Sequence, residues 1–141
     1  VLFRSTAHDA LEGYASVAET YLHLLEADPK NKDLEKKTRK ALHGLRTCGN
    51  LFRVAMPRYW CYTGWYAWLK GKKSKANNCW EKGLKLARRL EMQYEASLLY
   101  FESGRHKQQP MDLQKALIGF ETLGAKYDLE QTKSLLNKMS A

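Results

Sequence analysis

The stretch PRYWCYTGWYAWLKGKKSKANNCW, from Pro57 to Trp80, decides the fold. Pro57 is a favoured first-turn residue of a helix. The helix it opens runs to about Lys70, and Gly71 supplies the stop. Another helix follows from about Ser74 to Leu90, with Ala76, Cys79, Trp80, Gly83, Leu84 and Ala87 on one stripe at helical spacing. Gly64, Ala76 and Trp80 stand 12 and 4 residues apart, and Gly104, Ala116 and Phe120 repeat that spacing 40 residues later. Each trio sets a small residue on one helix against a small residue on the next. Two helices approach closely only where side chains are small, and the aromatic one turn later fills the adjoining layer. A second echo joins Leu90-Glu91-Met92-Gln93-Tyr94-Glu95 to Leu123-Gly124-Ala125-Lys126-Tyr127-Asp128 at a shift of 33. A period between 33 and 40 suits a two-helix repeat with a variable loop.

Outward from this centre, apolar residues recur at three- and four-residue steps almost throughout. The first helix is expected from about Ala7 to Ala27, with Thr6 and Asp9 resembling a capping box. The turn Asp28-Pro29-Lys30-Asn31 leads to a second helix, about Lys32 to Phe52. The fifth helix is expected over about Gln93 to Ser103, stopping at Gly104, with a polar loop from Arg105 to Pro110. The sixth spans Asp112 to Leu123 with Gly124 as its cap, and the seventh about Tyr127 to Met139. Short turns between seven helices imply antiparallel neighbours, so the fold class is an all-α stack of helical hairpins.

Composition agrees. Of 141 residues, 44% are hydrophobic and 28% charged, which suits one domain with a core of its own. No apolar stretch approaches the roughly 20 residues that span a bilayer. Cys48, Cys61 and Cys79 are odd in number and form no C-x-x-C pair, which points to a reducing, cytoplasmic setting rather than a disulfide framework. Residues 1–5, Val-Leu-Phe-Arg-Ser, read as the translation of a common sequencing adapter and are set aside. The domain is therefore taken as 6–141, a fragment of a larger protein.

The formal charge is +9, and two stretches carry most of it. Lys30 to Arg46 holds Lys30, Lys32, Lys36, Lys37, Arg39, Lys40 and Arg46 against Asp33 and Glu35. Lys70 to Arg89 holds eight basic residues against Glu81. Such stretches suit an acidic partner, RNA or a membrane surface; the simpler reading is a solvated helix face. The aromatics Tyr59, Trp60, Tyr62, Trp65, Tyr66 and Trp68 wrap all faces of the third helix. Inter-helix packing accounts for them, and so does a groove for a peptide or neighbouring domain. The candidate interaction surface is Arg58, Tyr59, Tyr62, Trp65, Tyr66, Lys70, Lys72 and Lys73. Repeat packing is assigned to Trp60, Gly64, Ala76, Trp80, Gly104, Ala116 and Phe120.

Catalytic signatures are missing. The chain has no G-x-x-x-x-G-K-[ST] loop, and His8, His23, His43 and His106 form no metal-binding spacing. His106 is read as a cation at a helix end, where the dipole favours it. No base is in view for Cys61 or Cys79. No catalytic residue, cofactor or metal is expected, and no sequence-specific nucleic-acid binding.

The Gly64, Ala76, Trp80 and Gly104, Ala116, Phe120 positions resemble the tetratricopeptide (TPR) pattern, with Trp60 where its leading Trp belongs. Thr63 stands where the pattern has Leu, Ala67 where it has an aromatic, and the closing Pro is absent from both units. The hairpin from Ala7 to Phe52 fits only with gaps. The series Pro57-Arg58-Tyr59-Trp60, Gly64, Ala67 to Lys72, Ala76, Trp80, Leu84, Ala87, Leu90 to Glu95, Gly104-Arg105-His106, Ala116 to Phe120 and Leu123 to Leu129 is similar to one tail in particular. It is the TPR-like tail of multidomain signalling proteins in which a class III adenylyl or guanylyl cyclase precedes an AAA-like NTPase. Similar tails follow NTPase modules in kinase-linked and transcription-regulator architectures. The resemblance, over about Met56 to Leu136, implies that the seven antiparallel helices form a TPR-like α-solenoid, a regulatory or scaffolding segment whose partner is a protein, either its own upstream domains or a peptide. An independent peptide-binding adaptor is the alternative.

Overall fold

A computed structural model describes residues 2–141, with side chains from Thr6 onward. The described residues form seven helices and no strand: α1 (Leu2–Ala27), α2 (Lys32–Leu51), a short 3-10 turn (Arg53–Ala55), α3 (Met56–Leu69), α4 (Lys73–Arg89), α5 (Gln93–Lys107), α6 (Pro110–Leu123) and α7 (Lys126–Ser140). The all-α class is as expected. Two expected boundaries are corrected. Helix α1 begins upstream of Thr6, so Thr6 and Asp9 lie inside it and do not cap it. Helix α5 runs through Gly104 to Lys107, so Gly104 is an interior residue and the loop expected from Arg105 shrinks to two residues, Gln108 and Gln109. Val1 of the presumed adapter segment lies outside the described residues.

Local signals explain the ends. The Asn31 side chain accepts a hydrogen bond from the Leu34 amide at 3.1 Å, and Asp33 and Glu35 occupy the first turn of α2, where the dipole favours acids. The sequence echo proves to be one turn used repeatedly. Glu91 and Gly124 both adopt the left-handed conformation, φ 57° and 68°. In both turns the next amide reaches back five residues, Met92 to the Ala87 carbonyl (2.8 Å) and Ala125 to that of Phe120 (2.9 Å). Gly71, with φ 75°, builds a third copy in which Lys72 bonds the Ala67 carbonyl at 2.9 Å.

Each helix packs on its successor, and α1 also meets α3, as α3 meets α5. The core lies where these rows converge. Leu11, Ala15, Ala18 and Leu22 from α1 meet Leu42 and Leu45 from α2, Tyr62 and Trp65 from α3, Trp80 from α4, and Leu98 and Leu99 from α5. A smaller buried layer, Leu113, Ala116 and Phe120, lies on α6.

The repeat-packing residues are buried, apart from a half-buried Trp60, but their contacts are not copies of one another. Gly64 faces α4, and its nearest neighbour there is the Trp80 indole, where the expected spacing set it against Ala76. The indole N–H donates to the Cys61 carbonyl at 3.1 Å. Gly104 is covered instead by Leu113 and Asp112, while Phe120 packs on Tyr94 and Phe101. The shared spacing therefore marks two closely packed hairpins with different registers.

Candidate interaction surface

Three of the eight surface candidates are not on the surface. Arg58 is 4% exposed, Tyr62 1% and Trp65 0%. The reason is tertiary: α1 and α5 pack against α3 on either side, so the helix face expected to line a groove is filled by its neighbours.

Arg58 is the centre of a buried ion network. Its guanidinium donates to Glu95 on α5 at 2.9 Å and to Glu12 on α1 at 3.4 Å, and it lies over the Tyr94 ring at 5.4 Å. Burial works against the charged form, but Tyr62, Glu95 and Glu12 outweigh it and hold Arg58 protonated above the ordinary arginine value. The Tyr94 hydroxyl donates to Asp128 at 3.3 Å, extending the network to α7. Four helices are thus connected: Arg58 of α3 reaches α1 through Glu12 and α5 through Glu95, and Tyr94 of α5 reaches α7 through Asp128.

A second network closes the other end of the same face. Arg105 donates to Glu26 of α1 at 3.0 Å and 3.1 Å, and to Glu102 at 2.9 Å and 3.1 Å. It also lies 4.6 Å over the Trp65 ring. His106 stacks on Trp80 at 5.8 Å, and its Nε2 stands 3.3 Å from Glu102. His106 does sit in the last turn of α5, but it is a buried member of an aromatic and carboxylate cluster rather than an exposed cap. Sequence reasoning missed this cluster because Glu26 and Arg105 are 79 residues apart. The i,i+3 and i,i+4 spacing of Glu102, Arg105 and His106 was the only local signal.

The remaining candidates are split among separate places. Tyr66 and Lys70 share Glu35 of α2, at 3.4 Å and 3.1 Å. Lys72 is exposed, Lys73 lies over Trp68 at 5.2 Å, and Tyr59 is half-buried beside Trp60. Lys82 covers Trp60 and Lys107 covers Trp80. These cations sit on ring faces and shield the indoles from water.

All three cysteines are buried and free, and burial pushes each thiol above its ordinary value, Cys61 most. A thiol so placed is a poor nucleophile at neutral pH. Among the described residues no group of three His, Cys, Asp or Glu is arranged to hold a metal ion, and no helix is long and apolar enough to cross a membrane. Compared with protein-family models, curated proteins and solved structures, the chain gives no match.

Proposed function

We propose that this chain is a non-catalytic, TPR-like helical-repeat module that scaffolds or regulates a larger cytoplasmic signalling protein. In that reading a class III nucleotide cyclase and an AAA-like NTPase precede it. The observation that carries the repeat part is the row packing. Hairpins α1–α2, α3–α4 and α5–α6 follow one another, with α1 on α3 and α3 on α5, and one left-handed turn recurs between helices. Such stacking is how repeat modules build a continuous core. The cyclase part rests on the sequence resemblance alone.

Ion networks through Arg58 and Arg105 suit a rigid spacer. Each ties several helices at one point, so a displacement of one hairpin is passed to the others instead of being absorbed between them. The test is the full protein with and without residues 6–141, assayed for cyclic-nucleotide production and ATP hydrolysis. Turnover is expected to persist in the truncated protein with altered regulation, and the isolated chain is expected to turn over neither substrate. Turnover that copurifies with the isolated chain refutes the non-catalytic reading. A transcript with no upstream cyclase or NTPase motif refutes the cyclase setting. The alternative, an independent peptide-binding adaptor, is favoured by one observation: a groove on the first hairpin.

A further inference from the structure

Helix α1 carries two apolar stripes. Leu11, Ala15, Ala18, Leu22 and Leu25 are buried in the core. Tyr14, Val17, Tyr21 and Leu24 form a second stripe in steps of three, four and three, the spacing of a coiled-coil seam. Tyr14, Val17 and Leu24 are 48%, 49% and 47% exposed and Tyr21 is half-buried, so the described residues cover this seam only in part. Together with Lys37, Lys40, Ala41 and Gly44 of α2, Tyr14, Val17 and Tyr21 line an open groove of about 480 Å³. Ala41 and Gly44 keep the α2 wall low. A Cβ on Gly44 would stand 3.2 Å from the Tyr14 ring, so the glycine lets that ring lie along the groove.

We propose that this groove receives an amphipathic helix of a partner protein, apolar along one seam and acidic on the flank that meets α2. The shape selects a helix. A groove between two helices presents ridges at helical spacing, which the i, i+3, i+4 and i+7 side chains of a third helix fill. The charge selects its sequence. On the α1 side the exposed residues that precede Tyr14, Val17, Tyr21 and Leu24 are Gly13, Ser16, Thr20 and His23; the first three are uncharged, and His23 is already paired with Glu19. On the α2 side Lys37 and Lys40 line the groove itself, and Lys36, Arg39 and His43 are exposed on the adjoining face of the helix, beyond Lys40. Lys37 is paired with Asp33 at 2.8 Å, which leaves Lys40 as the leading cation on the rim. A partner is therefore acidic on one flank only. Nucleic acid is a poorer fit: the Tyr14 and Tyr21 rings offer stacking surface, but with Lys37 engaged by Asp33 the groove lining presents phosphates with little beyond Lys40, and Val17 and Leu24 share the seam. From Tyr14 to Leu24 the seam is about 15 Å long, roughly three turns of partner helix.

The inference rests on reading the chain as a protein-binding module, and its test is independent of any catalytic assay. The probes are two synthetic helical peptides of about three heptads, with Leu at a and d and either Glu or Lys at e and g. Like charges at e and g also keep each peptide from pairing with itself. Fluorescence anisotropy is expected to show that the chain binds the Glu peptide and binds the Lys peptide at least about tenfold more weakly. Val17→Gln is expected to weaken Glu-peptide binding at least about tenfold, by removing apolar contact at an exposed site that does not support the core. Lys40→Glu is expected to weaken the Glu peptide and strengthen the Lys peptide. Circular dichroism verifies that both variants stay folded.

No binding of the Glu peptide, equal binding of the two peptides, or indifference to Val17→Gln overturns the groove. Binding that Lys72→Glu or Lys73→Glu abolishes, and the groove variants do not, overturns the groove while leaving a protein-binding module intact. A parallel titration uses phosphatidylserine–phosphatidylcholine vesicles. Vesicle binding reduced by Val17→Gln, with no peptide binding, overturns the helix in favour of a membrane surface.

Discussion

Gly64 and Gly13 are both helical glycines, and the same substitution should have opposite effects at the two. At Gly13 nothing lies within 4 Å of an added Cβ and the residue is exposed. Gly13→Ala then acts only on backbone freedom and should stabilise the fold by about 0.5–1 kcal/mol. At Gly64 the new Cβ would stand 2.7 Å from Trp80 Cδ1 and 2.9 Å from Cε2, and closer still to Nε1. Carbon atoms in contact rest at about 3.5–4.0 Å, so the indole must move by roughly 1 Å. It has little room, being 3% exposed and stacked on His106 with 14° between the planes. Moving it also stretches the hydrogen bond to the Cys61 carbonyl. Overpacking costs about 1–3 kcal/mol, and the strained hydrogen bond about 1 kcal/mol more. The helix-propensity gain of about 1 kcal/mol offsets only part of this. The expected net is a loss of about 1–3 kcal/mol, or a Tm lower by about 3–5 °C for each kcal/mol in a chain of this size. Thermal melts followed by circular dichroism measure it. In a Trp80→Phe background, which lacks the crowding five-membered ring, the Gly64→Ala penalty should shrink. If Gly64→Ala raises Tm as Gly13→Ala does, the close approach of α3 to Trp80 is wrong.

Arg58→Met leaves Glu95 buried without its cation and should cost about 3–5 kcal/mol in urea denaturation, whereas Arg58→Met with Glu95→Met should recover much of the loss; a fully stable single variant would contradict the buried network. Glu91→Gly relieves a non-glycine residue at φ 57° and should stabilise by about 1 kcal/mol, and an unchanged or lower Tm would count against the shared turn. The pair His23 and Glu19, 3.8 Å apart, sets a pH dependence. The Glu19 carboxylate raises the His23 pKa against the pull of partial burial, and His23 in turn holds Glu19 below the usual carboxylate range. The imidazolium's contribution is complete below about pH 6.5 and is lost as pH rises through the raised folded value; that of Glu19 is lost as pH falls below about 4.5. Both side chains are about half exposed, so the effect is under about 1 kcal/mol. Glu19→Gln should therefore destabilise at pH 5.5 and be nearly neutral at pH 8.5; an equal effect at both pH values rules the pair out.

Much of the fold was readable because helices are local. Pro57 opens a turn at α3, Gly71 and Gly124 close helices in the left-handed conformation, and apolar steps of three and four mark which face turns inward. Where the local signal was ambiguous, the expectation missed. Gly104 resembles a stop, yet α5 continues through it because the residue is needed small beneath Leu113. The cap is Gln108 at φ 55°, a non-glycine that carries no such signal.

The candidate surface was less legible, since an aromatic at helical spacing has the same letter whether it faces water or a neighbour. Tyr59 and Tyr66 keep partly exposed edges, whereas Tyr62 and Trp65, on the same helix, lose theirs to α1 and α5. The amino-acid sequence by itself determined seven helices, most of their ends and the pairing of neighbours, since each depends on residues within a few turns of one another. Only the tertiary structure decided that Arg58 and Arg105 are interior and that Tyr14, Val17 and Leu24 are exposed. Burial of a charge requires carboxylates brought together from distant positions, here Glu12, Glu26 and Glu95, and exposure of an apolar stripe depends on which helices are left to cover it.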